Sequence, residues 1–224
     1  MDRRNVYCTW MYVNCKVKMK KVFILIFILS LIHILPIVGQ DEIIVRKKIS
    51  QATSSIKTMQ CDFVQTKHLR LLKDDMVSKG KMYYQQSNHL RWEYTTPYSY
   101  TFIINNDKVF IKSKQRNDII DVNQNKLFKE IARIMMNSVV GNCLNDEKSF
   151  RSTISVGSDE WIATLLPLRK DIKQMFQKIV LYINPKQAIV TKMELMEKNG
   201  DMTVIDLKNV RINETINNNM FSIR

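Results

Sequence analysis

The sequence predicts a mostly β chain with some α: one curved antiparallel sheet forming an open half-barrel, covered by a helical lid. Three observations carry this expectation. Short segments with period-two hydrophobic alternation recur along the chain, separated by turn residues. Only two long segments carry helical periodicity, too few to cover a flat sheet of this size. A single sheet of nine to eleven strands must curl or close.

Taken in order, Glu42 to Lys57 reads as a helix, with Ile43, Ile44, Ile49 and Ile56 as a partial apolar stripe and Glu42 placed favourably in the first turn. The period then changes to two. Met59 to Leu69 puts Cys61, Phe63 and Gln65 on one face and Asp62, Val64 and Thr66 on the other. Lys79 to Tyr84 is the next strand. Leu90, Trp92 and Tyr94 then alternate with Arg91, Glu93 and Thr95 until Pro97 stops the run. Tyr98 to Ile104 and Val109 to Lys112 flank Asn105-Asn106-Asp107, a hairpin signal. Gln124 to Asn137 breaks the pattern. Leu127, Phe128, Ile131, Ile134, Met135 and Val139 recur at three- and four-residue steps, an amphipathic helix with Gly141 as its stop. Strands resume at Phe150 to Val156 and Trp161 to Leu166, and Pro167 to Phe176 reads as an irregular or short helical crossing. Lys178 to Ile183, Ile189 to Glu197 and Met202 to Val210 follow, with Asn184-Pro185 and Lys198-Asn199-Gly200-Asp201 as the turns between them. No internal repeat and no second folded domain is legible.

Upstream of this domain, Met19-Lys20-Lys21 opens a basic region and Val22 to Leu35 an apolar run, ended by Pro36 and followed by Ile37-Val38-Gly39. That order describes a secretory signal peptide. An uncleaved anchor is the competing reading. The expected organisation is residues 1–39 as extension and signal, with Met19 the expected start, and 40–224 as the exported domain. The formal charge of +14 belongs partly to the leader, since Arg3, Arg4, Lys16, Lys18, Lys20 and Lys21 face only Asp2 there. Without residues 1–39, 29 basic and 20 acidic residues remain, a charge of +9. The basic residues are spread along the strands rather than clustered, which argues against a nucleic-acid interface.

The chemistry of the exported part is sparse. Cys61 and Cys143 are its two cysteines, and in an oxidising compartment they either pair or stay as buried thiols. His68 and His89 share no metal-ligand spacing with them, and neither a Cys-x-x-Cys, a phosphate-binding glycine loop nor a Gly-x-Ser-x-Gly elbow occurs. A Cys61–His68 dyad is the one catalytic pairing to weigh, against the plainer reading of a strand cysteine and an exposed histidine. No cofactor, metal site or enzymatic activity is expected.

Three segments follow one another at characteristic distances: Phe63-Val64-Gln65-Thr66-Lys67, then Ser78-Lys79-Gly80-Lys81-Met82-Tyr83-Tyr84, then Leu90-Arg91-Trp92-Glu93-Tyr94-Thr95-Thr96-Pro97. Together with the Glu197 to Thr203 hairpin and the Asn217 to Phe221 close, they resemble the LolA family of periplasmic lipoprotein carriers from about Glu42 to Arg224. The resemblance implies an open β-barrel with a helical lid over a hydrophobic cavity. It also implies acylated lipoproteins as cargo, an inner-membrane ABC-type lipoprotein-releasing transporter as donor and an outer-membrane acceptor. The protein is expected in the periplasm, as a monomer.

Alternation nominates the lining. On the sheet the candidates are Phe63, Leu90, Trp92, Tyr94, Phe102, Ile104, Ile183, Met193, Leu195 and Ile205, and on the lid helix Phe128, Ile131, Ile134, Met135 and Met136. Ordinary core packing is the alternative for each. One departure from the family stands out: where several members carry an Arg associated with tying the lid to the barrel, this chain has Gln86, with Arg91 a nearby cation. The lid is therefore expected to be held by weaker polar contacts, and Gln86→Arg to slow cargo release. A carrier of another amphiphile, or a lipid- or lipoprotein-sensing envelope-stress domain, shares most of these features and is the rival reading.

Overall fold

The computed structural model describes residues 38–86, 88–113, 117–121 and 126–222. The leader proposed over residues 1–39 lies outside them, apart from the first turn of α1. Helix α1 spans Val38–Ser55, beginning earlier than its hydrophobic stripe because Val38 to Gln40 continue the helical turn. Eleven strands follow: β1 Thr58–His68, β2 Met76–Gln85, β3 His89–Thr96, β4 Tyr100–Asn105, β5 Lys108–Ser113, β6 Asn117–Asp121, β7 Phe150–Val156, β8 Trp161–Pro167, β9 Phe176–Asn184, β10 Ile189–Glu197 and β11 Met202–Ile212. Helix α2, Lys126–Val140, separates β6 from β7, and helix α3, Lys170–Met175, separates β8 from β9.

All strands belong to one antiparallel sheet in the order β6-β5-β4-β3-β2-β1-β11-β10-β9-β8-β7. Two meanders are joined where β1 pairs with β11, Phe63 opposite Leu207 and Gln65 opposite Ile205. The edges β6 and β7 do not pair, so the barrel stays open. The chain passes from one free edge to the other through α2, which packs against β10 on the concave side of the sheet. This is the open half-barrel with a helical cover that the alternation predicted, with one strand, β6, that it did not.

The twofold period sorts the side chains. Met59 and Phe63 of β1, Met82 of β2, Leu90 and Trp92 of β3, Ile104 of β4 and Ile179, Leu181 and Ile183 of β9 point into the concave core and are almost fully buried. On the convex face Ile103, Phe110 and Phe221 form a second, small cluster with Tyr83, Ile216 and Met220. Shifts in register near Asp62 and Gly80 mark bulges, devices that bend strands and help a long sheet curl.

Gly80 shows why one motif residue must be small. It lies opposite Phe63 on one side and Tyr94 on the other. A Cβ there would sit 1.9 Å from the Glu93 carbonyl oxygen and 2.7 Å from Cζ of Phe63. The missing side chain lets the Phe63 and Tyr94 rings meet edge to face at 5.1 Å, while Phe63 also lies 4.6 Å from Trp92. The result is an aromatic floor under the lid.

Candidate functional site

Helix α2 presents Ile131, Ile134, Met135, Ser138 and Val139 to the sheet, a stripe with steps of three, one, three and one along a single helical face. Opposite them stand Gln65, Trp92 and Tyr94 from β1 and β3, Met193, Leu195, Thr203 and Ile205 from β10 and β11, and Phe176 at the start of β9. Between lid and floor lies a cavity of about 190 Å³. Among the described residues none that lines it is charged. The lid ends at Gly141, whose φ of 81° turns the chain into a 3₁₀ segment, Asn142–Asn145, that buries Cys143 and Leu144.

Of the residues expected to line the cavity, Trp92, Tyr94, Ile131, Ile134, Met135, Met193, Leu195 and Ile205 do so. Phe63, Leu90, Phe102, Ile104 and Ile183 are packed core instead, filled from both sides by the same alternation. Met136, one residue off the stripe, packs against the core edge without facing the cavity. The Phe128 side chain lies outside the described residues. Sequence reasoning missed Gln65, Ser138, Val139, Phe176 and Thr203 as lining. The first, second and last are polar residues on otherwise apolar faces.

The polar atoms of the cavity are unevenly satisfied. The Tyr94 hydroxyl donates to Gln65 Oε1 at 2.9 Å. Burial pushes the Tyr94 phenol up to about 12, against a smaller opposing pull from the nearby Trp92 N–H. That N–H nonetheless meets no acceptor in hydrogen-bond geometry among the described residues, and the Ser138 hydroxyl, beside the Cys143 thiol, makes no well-formed hydrogen bond there either.

Besides its apolar packing, the lid is tied down by ion pairs as well as by neutral hydrogen bonds. Glu130, on α2 and only 8% exposed, accepts from Arg169 Nη2 at 2.9 Å and from Arg133 Nε at 3.0 Å. Arg133 also pairs with Asp146 and donates to Ser149 Oγ at 3.2 Å. Arg169, just before α3, is fixed in turn by Asp171. Burial opposes ionisation of Asp146, but Ser149 and Arg133 outweigh it and hold the carboxyl below its usual range. At the far end of the lid, Thr53 Oγ1 of α1 donates to the Val140 carbonyl at 2.9 Å.

Neither residue nominated as a lid contact takes part in this network. Arg91 alternates with Leu90 and Trp92 and so faces the convex side, where it binds Glu93 and donates to the Met220 carbonyl at 3.3 Å. Gln86 is exposed in the β2–β3 turn, its backbone N–H donating to the Lys57 carbonyl at 2.7 Å, and among the described residues no hydrogen bond joins its side chain to α2.

Cys61 and Cys143 are both free and buried, in the middle of β1 and in the turn after α2. Burial pushes each thiol up to about 12, so both stay protonated at neutral pH. Cys61 and His68 stand seven residues apart on one extended strand, about 23 Å at 3.3 Å per residue and on opposite faces, too far for a dyad. His68 pairs instead with Asp75. Among the described residues no group of three or more His, Cys, Asp or Glu side chains could hold a metal, and no helix is long and apolar enough to cross a membrane.

Residues 54–224 match the family described as outer membrane lipoprotein carrier protein LolA. A comparison with curated protein sequences finds no match. Among solved structures, an uncharacterized conserved protein from Thermus thermophilus aligns with a TM-score of 0.51 at 9% identity, covering 81% of this chain and 93% of that one. A LolA superfamily protein from Nitrosomonas europaea aligns at 0.43 and 9% identity, covering 81% and 97% of the two chains. The lipoprotein LppX from Mycobacterium tuberculosis aligns at 0.48 and 10% identity, covering 80% and 98%. The Thermus likeness is one of fold, and the sequence match over most of the chain is one of descent: the protein belongs to the LolA family.

Proposed function

We propose that this protein binds the acyl chains of lipoproteins in the cavity beneath α2 and carries them through the periplasm, from an inner-membrane ABC-type transporter to an outer-membrane acceptor. The observation that supports the reading most is the cavity between α2 and the concave face of the sheet, with no charged side chain among its described lining residues. Each methylene moved out of water is worth about 0.8 kcal/mol, so an acyl chain needs such an enclosure to travel through an aqueous space. A signal peptide cleaved after Gly39 belongs to the same reading.

The closed cavity is too small for the whole cargo. A cavity of about 150 Å³ in another protein takes a benzene-sized guest. At about 190 Å³ this one admits little more, and pockets for larger ligands run from roughly 300 Å³ upward. Loading therefore requires α2 to move away from the floor. Flexible Met135 and Met193 suit a lining that must fit several chain shapes. The ion pairs of Glu130 and Arg133 then oppose opening without adding apolar burial, which leaves release achievable.

Native mass spectrometry of the protein produced from its full chain and purified without detergent tests this. The expected result is a polypeptide that begins near Gln40, with co-purified acylated peptide that a hydrophobic fluorophore displaces. A co-purified glycolipid or other non-peptide amphiphile would make it a carrier of that class instead. A ligand-free mass with no fluorophore binding would contradict the proposal.

A further inference from the structure

Trp92 and Ser138 face the same cavity from opposite walls, Trp92 from the floor strand β3 and Ser138 from the lid. Both are nearly inaccessible to solvent, 1% and 2% exposed. Each carries a polar atom, the indole Nε1 and the hydroxyl Oγ, with no well-formed hydrogen bond among the described residues, although Ser138 lies beside the Cys143 thiol and Trp92 beside the Tyr94 hydroxyl. Such orphans are rare in folded proteins and each costs about 1–3 kcal/mol. Here both residues border one space, so an occupant that reaches these atoms as α2 shifts, water or ligand, can supply the partner.

The chemistry of that partner is constrained. An indole N–H only donates, so the occupant must offer an acceptor. The Tyr94 hydroxyl already donates to Gln65, which leaves its lone pairs rather than its proton facing outward. Among the described residues no Lys, Arg or His lines the cavity, so none of them compensates a buried carboxylate, and an ionised headgroup inside would be expensive. A neutral acceptor flanked by hydrocarbon is what remains: the carbonyl of an acyl ester or amide.

We infer that Trp92 Nε1 and Ser138 Oγ form a polar anchor in the cavity that takes the neutral ester or amide carbonyl of an acylated ligand, and selects such ligands over hydrocarbons and free fatty acids. The inference rests on the reading of this cavity as an acyl-binding site. It adds a consequence for the lid. A carbonyl held by Ser138 is held by α2 itself, so the anchor moves with the helix when the cavity opens.

The test is displacement of N-phenyl-1-naphthylamine by three ligands of equal chain length, a methyl alkanoate, the alkane and the alkanoate anion, in the parent, Ser138→Ala and Trp92→Phe. The parent is expected to hold the ester more tightly than the anion. Each variant is expected to lose roughly two- to tenfold in ester affinity, the worth of one hydrogen bond, with alkane affinity unchanged in Ser138→Ala. Ser138→Ala is also expected to melt no lower than the parent without ligand, because it removes an unsatisfied hydroxyl. With a diacylglyceryl-cysteine lipopeptide and a diacylglycerol of the same chains the loss appears in both, and the tighter binder identifies the source of the ester. Equal losses for ester and alkane in Ser138→Ala, no loss for the ester, or a lower melting temperature would overturn the anchor while leaving the carrier reading intact. If the parent binds neither the fluorophore nor any ligand, the carrier reading itself falls, and the anchor with it.

Discussion

Helices α1 and α2 cover the concave face of the same sheet and do opposite things. Helix α1 sinks Val45 and Ile49 into it, with Ile56 just after its end, and leaves no space; Ile49 and Ile56 are each 2% exposed. Helix α2 also buries Ala132, Ile134, Val139 and Val140 in that core, but part of its apolar stripe borders a void. The first is fixed by close packing, where every removed contact is lost outright. The second adds to a looser packing the ion pairs of Glu130 with Arg169 and of Arg133 with Asp146, which break and re-form without changing the shape of the core. A plug and a lid are thus distinguished by what holds them, not by how apolar they are.

The largest way to break this contrast is Ile49→Ala. It should cost about 2–5 kcal/mol in denaturant unfolding, as for other buried large-to-small changes, and leave probe affinity per folded molecule unchanged. Met135→Ala on the lid should do the reverse. It enlarges a cavity already present, so stability should fall by less than about 1.5 kcal/mol, while fluorophore affinity changes measurably.

Next in size is Glu130→Gln, which keeps the side-chain shape and removes the charge shared by Arg133 and Arg169. It should weaken the tie by about 1 kcal/mol, seen in stopped flow as faster fluorophore entry and exit with little change in melting temperature. The same tie predicts a pH profile. The Asp146 carboxyl is held below its usual range when folded, so its contribution is complete above the unfolded value near 4 and is lost as pH falls through the lower, folded value. Entry rates should stay flat from pH 8 to pH 5 and rise only below about 4. A rise already at pH 6 would point to a titrating group other than this carboxylate. The smallest effect belongs to Gln86→Arg. The slower release first expected for it does not follow from an exposed turn residue with no bond to α2 among the described residues, and release rates and stability should stay within about 0.5 kcal/mol of the parent.

The sheet was readable from alternation because each strand's inner face is filled by large apolar side chains. The bounds of β7 and β10 agree with the pattern residue for residue. Strand β6 escaped because Asn117-Asp118-Ile119-Ile120-Asp121 is a short edge strand with no period-two alternation of apolar residues. The lining was half readable. Periodicity separates inner from outer faces but cannot tell Ile104, packed on all sides, from Ile205, which borders empty space. The polar lining was in reach of a stricter use of the same rule: Gln65 shares a face with Phe63, and Ser138 is the i+7 member of the stripe that begins at Ile131. Selecting by hydrophobicity removed the residues whose polarity gives the cavity its chemistry. The lid tether was beyond the sequence. Glu130 and Arg169 stand 39 residues apart and meet only because α3 follows β8 back beneath the lid.

Hydrogen exchange of the α1 and α2 backbone amides, with and without bound fluorophore, tests the distinction between plug and lid most directly. The account predicts that α2 exchanges faster than α1 in the free protein, and that ligand changes protection in α2 alone. Equal protection of the two helices, unmoved by ligand, would mean that α2 is packed core and that the cavity beneath it never opens.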